Sequence, residues 1–231
     1  APDSPFSLRL RADPAQWAWG LRFLAACRAG TSARTTAQLL ALAEESRTAL
    51  QALMADVQPA CHFSASGKLV MYASEASFAA ARRQLGLQQA LGSSAQHALS
   101  LAECLRVEPA LAGSASGYVG GIHTPGECAA DCARLCDALH AALVARGVRF
   151  ITGVAVDGVV QSQGRVRAVR AGGAEIETDA VVAALGTGVA AFARGLGLRV
   201  PVYPLKGYSL TVAARAGGSV APHVSVTDAG R

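Results

Sequence analysis

The segment Asp179-Ala-Val-Val-Ala-Ala-Leu-Gly-Thr-Gly188 constrains the fold of this chain more than any other. Six apolar residues run into a Gly-Thr-Gly turn, and Val189, Ala190 and Ala191 then begin a helical pattern. The spacing predicts a buried strand at 180–185, a tight turn and a short helix. A turn of this kind lets backbone N–H groups approach an anionic ligand at a helix N-terminus.

The rest of the chain predicts alternating helices and strands. Asp13-Pro14 is an N-cap followed by proline at the first helical position, and Trp17, Leu21, Leu24 and Cys27 then recur at helical spacing. A second helix starts between Thr31 and Thr35, with Leu39, Leu42, Ser46, Leu50, Leu53 and Val57 on its inner face. The two are expected as a packed antiparallel pair. Residues 60–73 read as a hairpin turning at Ser66-Gly67, followed by helices at 74–85 and 101–107. A Gly-rich strand at 117–124 precedes a long helix at 129–146, with Gly147 just past its end. Strands are expected at 148–152, 154–161, 165–171, 174–178 and 201–213. This is a mixed α/β pattern without repeats.

Charge and composition exclude several classes. The chain carries a net charge of +5, but Arg82-Arg83 is its one adjacent basic pair and no aromatic stripe accompanies it. Nucleic-acid binding is therefore not expected. The longest apolar run, 180–193, is too short and too glycine-rich to span a bilayer. Six cysteines in 231 residues do not make a dense disulfide framework, so free thiols in a reducing cytoplasm are expected. Cys128, Cys132 and Cys136 share one helical face with His140. Ligands spread along about 18 Å of helix cannot converge on one ion, so no metal is expected and the thiols are read as packing against the sheet.

Gly186-Thr-Gly-Val-Ala-Ala191 also matches G-x-G-x-x-A, the fingerprint that opens a dinucleotide-binding unit. The fingerprint needs an acidic residue about twenty positions on, and after Asp179 the next acid is Asp228. The turn therefore reads as a late strand of such a domain, and the alternative is an ordinary strand-to-helix turn that binds nothing.

Further segments carry a family resemblance. They are Trp19-Gly-Leu-Arg-Phe-Leu-Ala-Ala-Cys27, Ser66-Gly-Lys-Leu69, Glu108-Pro-Ala-Leu111, Gly120-Gly-Ile-His-Thr-Pro-Gly-Glu127 with Asp131-Cys132, Ala145-Arg-Gly-Val-Arg-Phe150, and Val202-Tyr-Pro-Leu-Lys-Gly-Tyr-Ser-Leu-Thr211. Together with 179–188, their order and spacing resemble the D-amino acid dehydrogenase (small subunit) branch of the D-amino acid oxidase/glycine oxidase family of flavoenzymes. The resemblance implies an α/β fold in which a partial FAD-binding, Rossmann-like domain joins an antiparallel-sheet substrate domain with helices. It divides the chain into a substrate domain at 1–117, the middle of the FAD domain at 118–198, and a return into the substrate domain at 199–231. Family members begin with G-x-G-x-x-G and end with a segment that closes over the flavin. Neither is recognisable here, so an internal fragment that neither holds FAD tightly nor turns over alone is expected.

The resemblance implies roles as well. Val154 would meet the adenine end of FAD through its backbone, and Gly186, Thr187 and Gly188 would meet the diphosphate or ribityl chain. Tyr203, Lys206, Tyr208 and His62 are the candidate substrate-pocket residues. A plain meander strand at Val154, and core or rim tyrosines, are the competing readings. The implied chemistry is oxidative deamination of a D-amino acid by hydride transfer to FAD, with electrons passed to a quinone or other carrier. The implied location is cytoplasmic, peripheral on the inner face of the bacterial inner membrane. Two alternatives stand beside it: an oxygen-using glycine or sarcosine oxidase, and a non-catalytic fragment without flavin.

Overall fold

The computed structural model describes residues 12–212 and 221–230. The first eleven residues of the expected 1–117 domain and the last residue of the expected 201–213 strand lie outside them. Along the chain come α1 (Pro14–Ala26), α2 (Ala29–Val57), β1 (Lys68–Tyr72), α3 (Glu75–Ala90), β2 (His97–Ser100) and α4 (Leu101–Val107). Then follow β3 (Gly120–Thr124), α5 (Cys132–Ala145), β4 (Val156–Ser162), β5 (Arg165–Ala171), β6 (Ala174–Glu177), α6 (Val189–Gly195) and β7 (Ser225–Asp228). The mixed α/β expectation holds. The chain divides into two compact units, one drawn from Gly30–Gly147 and Thr211–Arg231, the other from Leu10–Ala29 and Val148–Leu210.

The first unit is built on a four-stranded sheet of order β2-β3-β1-β7. Strand β1 pairs antiparallel with β3 and parallel with β7, so it lies inside the sheet and alternates half-buried with buried residues. Leu69 and Met71, on one face, join Cys104 of α4, Leu111 and Val224 in the core. Full burial of each large side chain contributes about 1.5–3 kcal/mol. On the other face α3 brings Phe78 against Tyr72, ring centroids 5.8 Å apart. Helix α4 begins in a capping box: the Ser100 hydroxyl accepts from the Glu103 N–H, and the Glu103 carboxylate accepts from the Ser100 N–H. Gly120 and Gly121 permit the close packing of β3. A Cβ on Gly120 would lie 2.6 Å from the Leu99 carbonyl oxygen, and one on Gly121 would lie 2.9 Å from Cys104 Sγ.

The second unit contains the antiparallel meander β4-β5-β6. Both of its turns have two residues, Gln163-Gly164 (φ 52° and 73°) and Gly172-Gly173 (φ 57° and 80°). Left-handed φ at both central positions is the turn that matches strand twist.

Several expectations are corrected. No hairpin forms at 60–73, because β1 finds its partners in β3 and β7, far along the chain. The helices α1 and α2 are not an antiparallel pair within one unit, since each belongs to a different one. On α2, Leu39, Leu42 and Ser46 are exposed, whereas Leu50, Leu53 and Val57 of the expected face are half-buried together with Leu40, Arg47 and Met54. Apolar residues line two neighbouring stripes there, and packing takes part of each. Residues 148–152, 180–185 and 201–212 form no strand, and Val182 is 91% exposed. An apolar run makes a strand only where a neighbour completes its hydrogen bonds. Cys128, Cys132 and Cys136 are exposed, and the buried thiols are Cys61 and Cys104. Among the described residues, no helix is long and apolar enough to cross a membrane.

Candidate functional site

The Gly-Thr-Gly segment makes a single 3-10 turn that runs directly into α6. Gly186 holds φ +52°, a left-handed backbone that glycine adopts without strain. A Cβ placed there would meet nothing within 4 Å, so the outer side of the turn is open. The Gly188 N–H donates to the Leu185 carbonyl at 3.0 Å, and all three residues of the turn are exposed. The turn and the short helix after it are as the sequence predicts; the buried strand before it is not.

Val154 is half exposed and precedes the ladder rather than joining it. Its Cγ1 lies 3.2 Å from the position a Cβ would take on Gly172, and the Gly172 N–H donates to the Ala155 carbonyl at 3.3 Å. Val154 is thereby held against the β5–β6 turn.

Tyr203 packs on α1. Its hydroxyl donates to Asp13 Oδ2 at 3.2 Å, and Asp13 Oδ1 accepts from the Ala15 N–H at 2.9 Å, capping the helix. The Trp19 and Tyr203 rings sit 5.9 Å apart, and Trp19 stacks on Phe23 at 5.3 Å. This contact closes one side of a cleft of about 420 Å³, whose walls also include Arg22, Arg194, Leu198 and Arg199. Lys206 Nζ lies 5.1 Å over the Tyr208 ring, a cation–π pair on an extended segment where Tyr208 is 89% exposed. His62 belongs to the other unit, where it is exposed with φ +50°.

The first unit has its own cleft of about 250 Å³ beside α3, where Lys68, Gln96, Thr124 and Glu127 meet Val70, Leu85 and Ile122 among others. Gln96 Nε2 donates to Thr124 Oγ1 at 3.2 Å. Burial raises the Tyr72 hydroxyl above its usual pKa. Burial also pushes His123 below the usual imidazole range, assisted by His97 directly opposite it on β2.

Glu108 has no exposed surface. Its Oε2 accepts from the N–H groups of His223 (2.6 Å) and Val224 (2.9 Å), and its Oε1 from Ala110 N–H at 3.0 Å. Burial alone would raise this carboxyl; the three N–H donors more than offset that, and its pKa lies below the usual carboxylate range. In the sequence Glu108 stands only as the first residue of the Glu108-Pro-Ala-Leu111 segment. No local pattern reveals that it reaches a segment 115 residues away. The arginines of the larger cleft are equally scattered. The one trace of them in the sequence is the stretch 180–227, which contains no acidic residue.

Comparison with known proteins gives concordant matches. The sequence profile of the DAO family, described as FAD dependent oxidoreductase, matches residues 11–231. A protein of Ralstonia nicotianae named D-amino acid dehydrogenase 2 is 44% identical, over 99% of this chain and 55% of its own length. One of the same name from Pseudomonas aeruginosa is 46% identical, over 98% of this chain and 53% of its own. The chain thus spans about half the length of these relatives. Among solved structures, glycine oxidase from Geobacillus kaustophilus superposes with a TM-score of 0.61 at 22% identity, over 69% of this chain and 43% of that one. That likeness concerns the fold.

Proposed function

The chain belongs to the DAO family of FAD-dependent oxidoreductases, and from that premise we propose that it is part of an enzyme that oxidatively deaminates D-amino acids and passes the electrons to a quinone-type carrier. One observation carries this reading: relatives that align with nearly the whole chain are named D-amino acid dehydrogenase. When bound, FAD supplies the hydride acceptor for the substrate Cα–H.

The residues present are compatible with such a group. An exposed glycine turn, open around Gly186, lets backbone approach a diphosphate without a side chain in the way. Gly186, Thr187 and Gly188 would contact the diphosphate or ribityl chain, and the Val154 backbone would meet the adenine edge. Tyr203, Lys206 and Tyr208, all of the second unit, would line the substrate pocket. There the cation of Lys206 favours a substrate carboxylate, and the tyrosine rings cover apolar substrate surface. On this reading the protein works at the inner face of the bacterial inner membrane, where a quinone acceptor is at hand.

The test uses the full-length gene product. Purified protein is titrated with FAD while flavin fluorescence is followed, then given a panel of D- and L-amino acids with either a quinone analogue or oxygen as acceptor. Saturable flavin uptake and D-selective reduction of the quinone analogue are expected, with weaker uptake in Gly188→Val. Absence of flavin uptake, or turnover of glycine or sarcosine with oxygen alone, would overturn the proposal.

A further inference from the structure

Apart from Tyr203, which the proposed substrate pocket shares, the cleft beside α1 carries chemistry that the flavin reading does not use. Arg22, Arg194 and Arg199 line it together with Trp19 and Tyr203. Among the described residues no acidic side chain lines it, and none of the three guanidiniums forms an ion pair or side-chain hydrogen bond with one of them. The stretch 180–227 contains no carboxylate, and the Asp13 carboxylate at the start of α1 is engaged by the Tyr203 hydroxyl and the Ala15 N–H, so three guanidiniums stand against one carboxylate here. A concave wall of one sign concentrates ions of the other. At about 420 Å³ the space falls within the range of small-molecule sites. Guanidinium forks match phosphate oxygens in pairs, while the half-buried Trp19 and Tyr203 offer a flat apolar floor. The Gly186–Gly188 turn and Val154 are not among the lining residues.

We propose that this cleft is a binding site for an organic phosphate with an aromatic or apolar body, the phosphate held by Arg22, Arg194 and Arg199 and the body laid on Trp19 and Tyr203. The site is separate from the one proposed for FAD. The same phosphate chemistry is available from a soluble metabolite or from a lipid headgroup.

The chain has two tryptophans, both on α1, so intrinsic fluorescence reports on the site. In the full-length protein Trp17→Phe leaves Trp19, which lines the cleft, as the α1 reporter. Titration with phenyl phosphate should give a saturable change, inorganic phosphate a weaker one and phenol none. Arg22→Gln, Arg194→Gln and Arg199→Gln should each weaken binding roughly tenfold. These side chains are exposed, and unchanged melting temperatures would confirm that the variants fold. Arginine-dependent co-sedimentation with phosphatidylglycerol but not phosphatidylcholine vesicles, without a phenyl phosphate response, assigns the phosphate to lipid; the reverse assigns it to a soluble ligand. Absence of both responses, retention of affinity in the triple variant, or displacement of phenyl phosphate by FAD would overturn the proposal. Because flavin uptake is measured separately, failure here leaves the family reading standing.

Discussion

Replacing Glu108 by Gln tests how the first unit keeps its last strand. The carboxylate is wholly buried and accepts three backbone N–H bonds, two of them from His223 and Val224, which lead into β7. A glutamine oxygen can still face those two, at neutral rather than charge-assisted strength, a loss of about 1 kcal/mol each. Its NH₂ must then face the Ala110 N–H, leaving a donor against a donor at about 1–3 kcal/mol. Relief from burying a charge offsets part of this, so the net destabilisation should be about 3 kcal/mol. Urea unfolding should record it as a lower midpoint at unchanged slope. Amide exchange should quicken in β7 before the rest of the sheet.

The same group sets an acid limb. Its folded pKa is depressed, so the unfolded chain binds its proton first as pH falls. The stabilisation is therefore complete above about pH 4.3, the unfolded value, and is lost as pH drops through the folded pKa. Glu108→Gln should flatten that limb. A variant within about 0.5 kcal/mol of the parent, or one with the same acid limb, would refute the clamp.

Two further substitutions probe local geometry. Gly120→Ala should cost about 1–3 kcal/mol in thermal or urea unfolding, because its Cβ would meet the Leu99 carbonyl at 2.6 Å and the Phe78 ring at 2.7 Å. Ser100→Ala removes one half of the α4 capping box and should cost about 1 kcal/mol by the same measurement, with Ser100→Thr, which keeps the hydroxyl, restoring most of it.

Much of the secondary structure is written locally. Asp13-Pro14 opens α1, Gly164 and Gly173 turn the meander, Gly147 follows α5, and the Gly-Thr-Gly turn sits where its glycines put it. These features depend on φ preferences and caps that act within a few residues. The candidate site was legible to the same depth: the 186–188 turn is visible in sequence, whereas the cleft formed by Arg22, Arg194 and Arg199 is not. Its arginines are brought together by the packing of Tyr203 on α1, a contact across 190 residues.

Strand identity obeyed a different rule. Residues 180–185 and 225–228 are both short, yet the more apolar segment stays unpaired while Ser225–Asp228 lies parallel to β1. Hydrophobic runs declare a tendency to be buried; a ladder needs a second backbone at hydrogen-bonding distance. The sequence alone determined the turns, the helix caps and the family to which the chain belongs. Tertiary structure alone decided which segments pair, which thiols are buried and where Glu108 reaches, because each of those depends on groups that only folding brings within a few ångströms of one another.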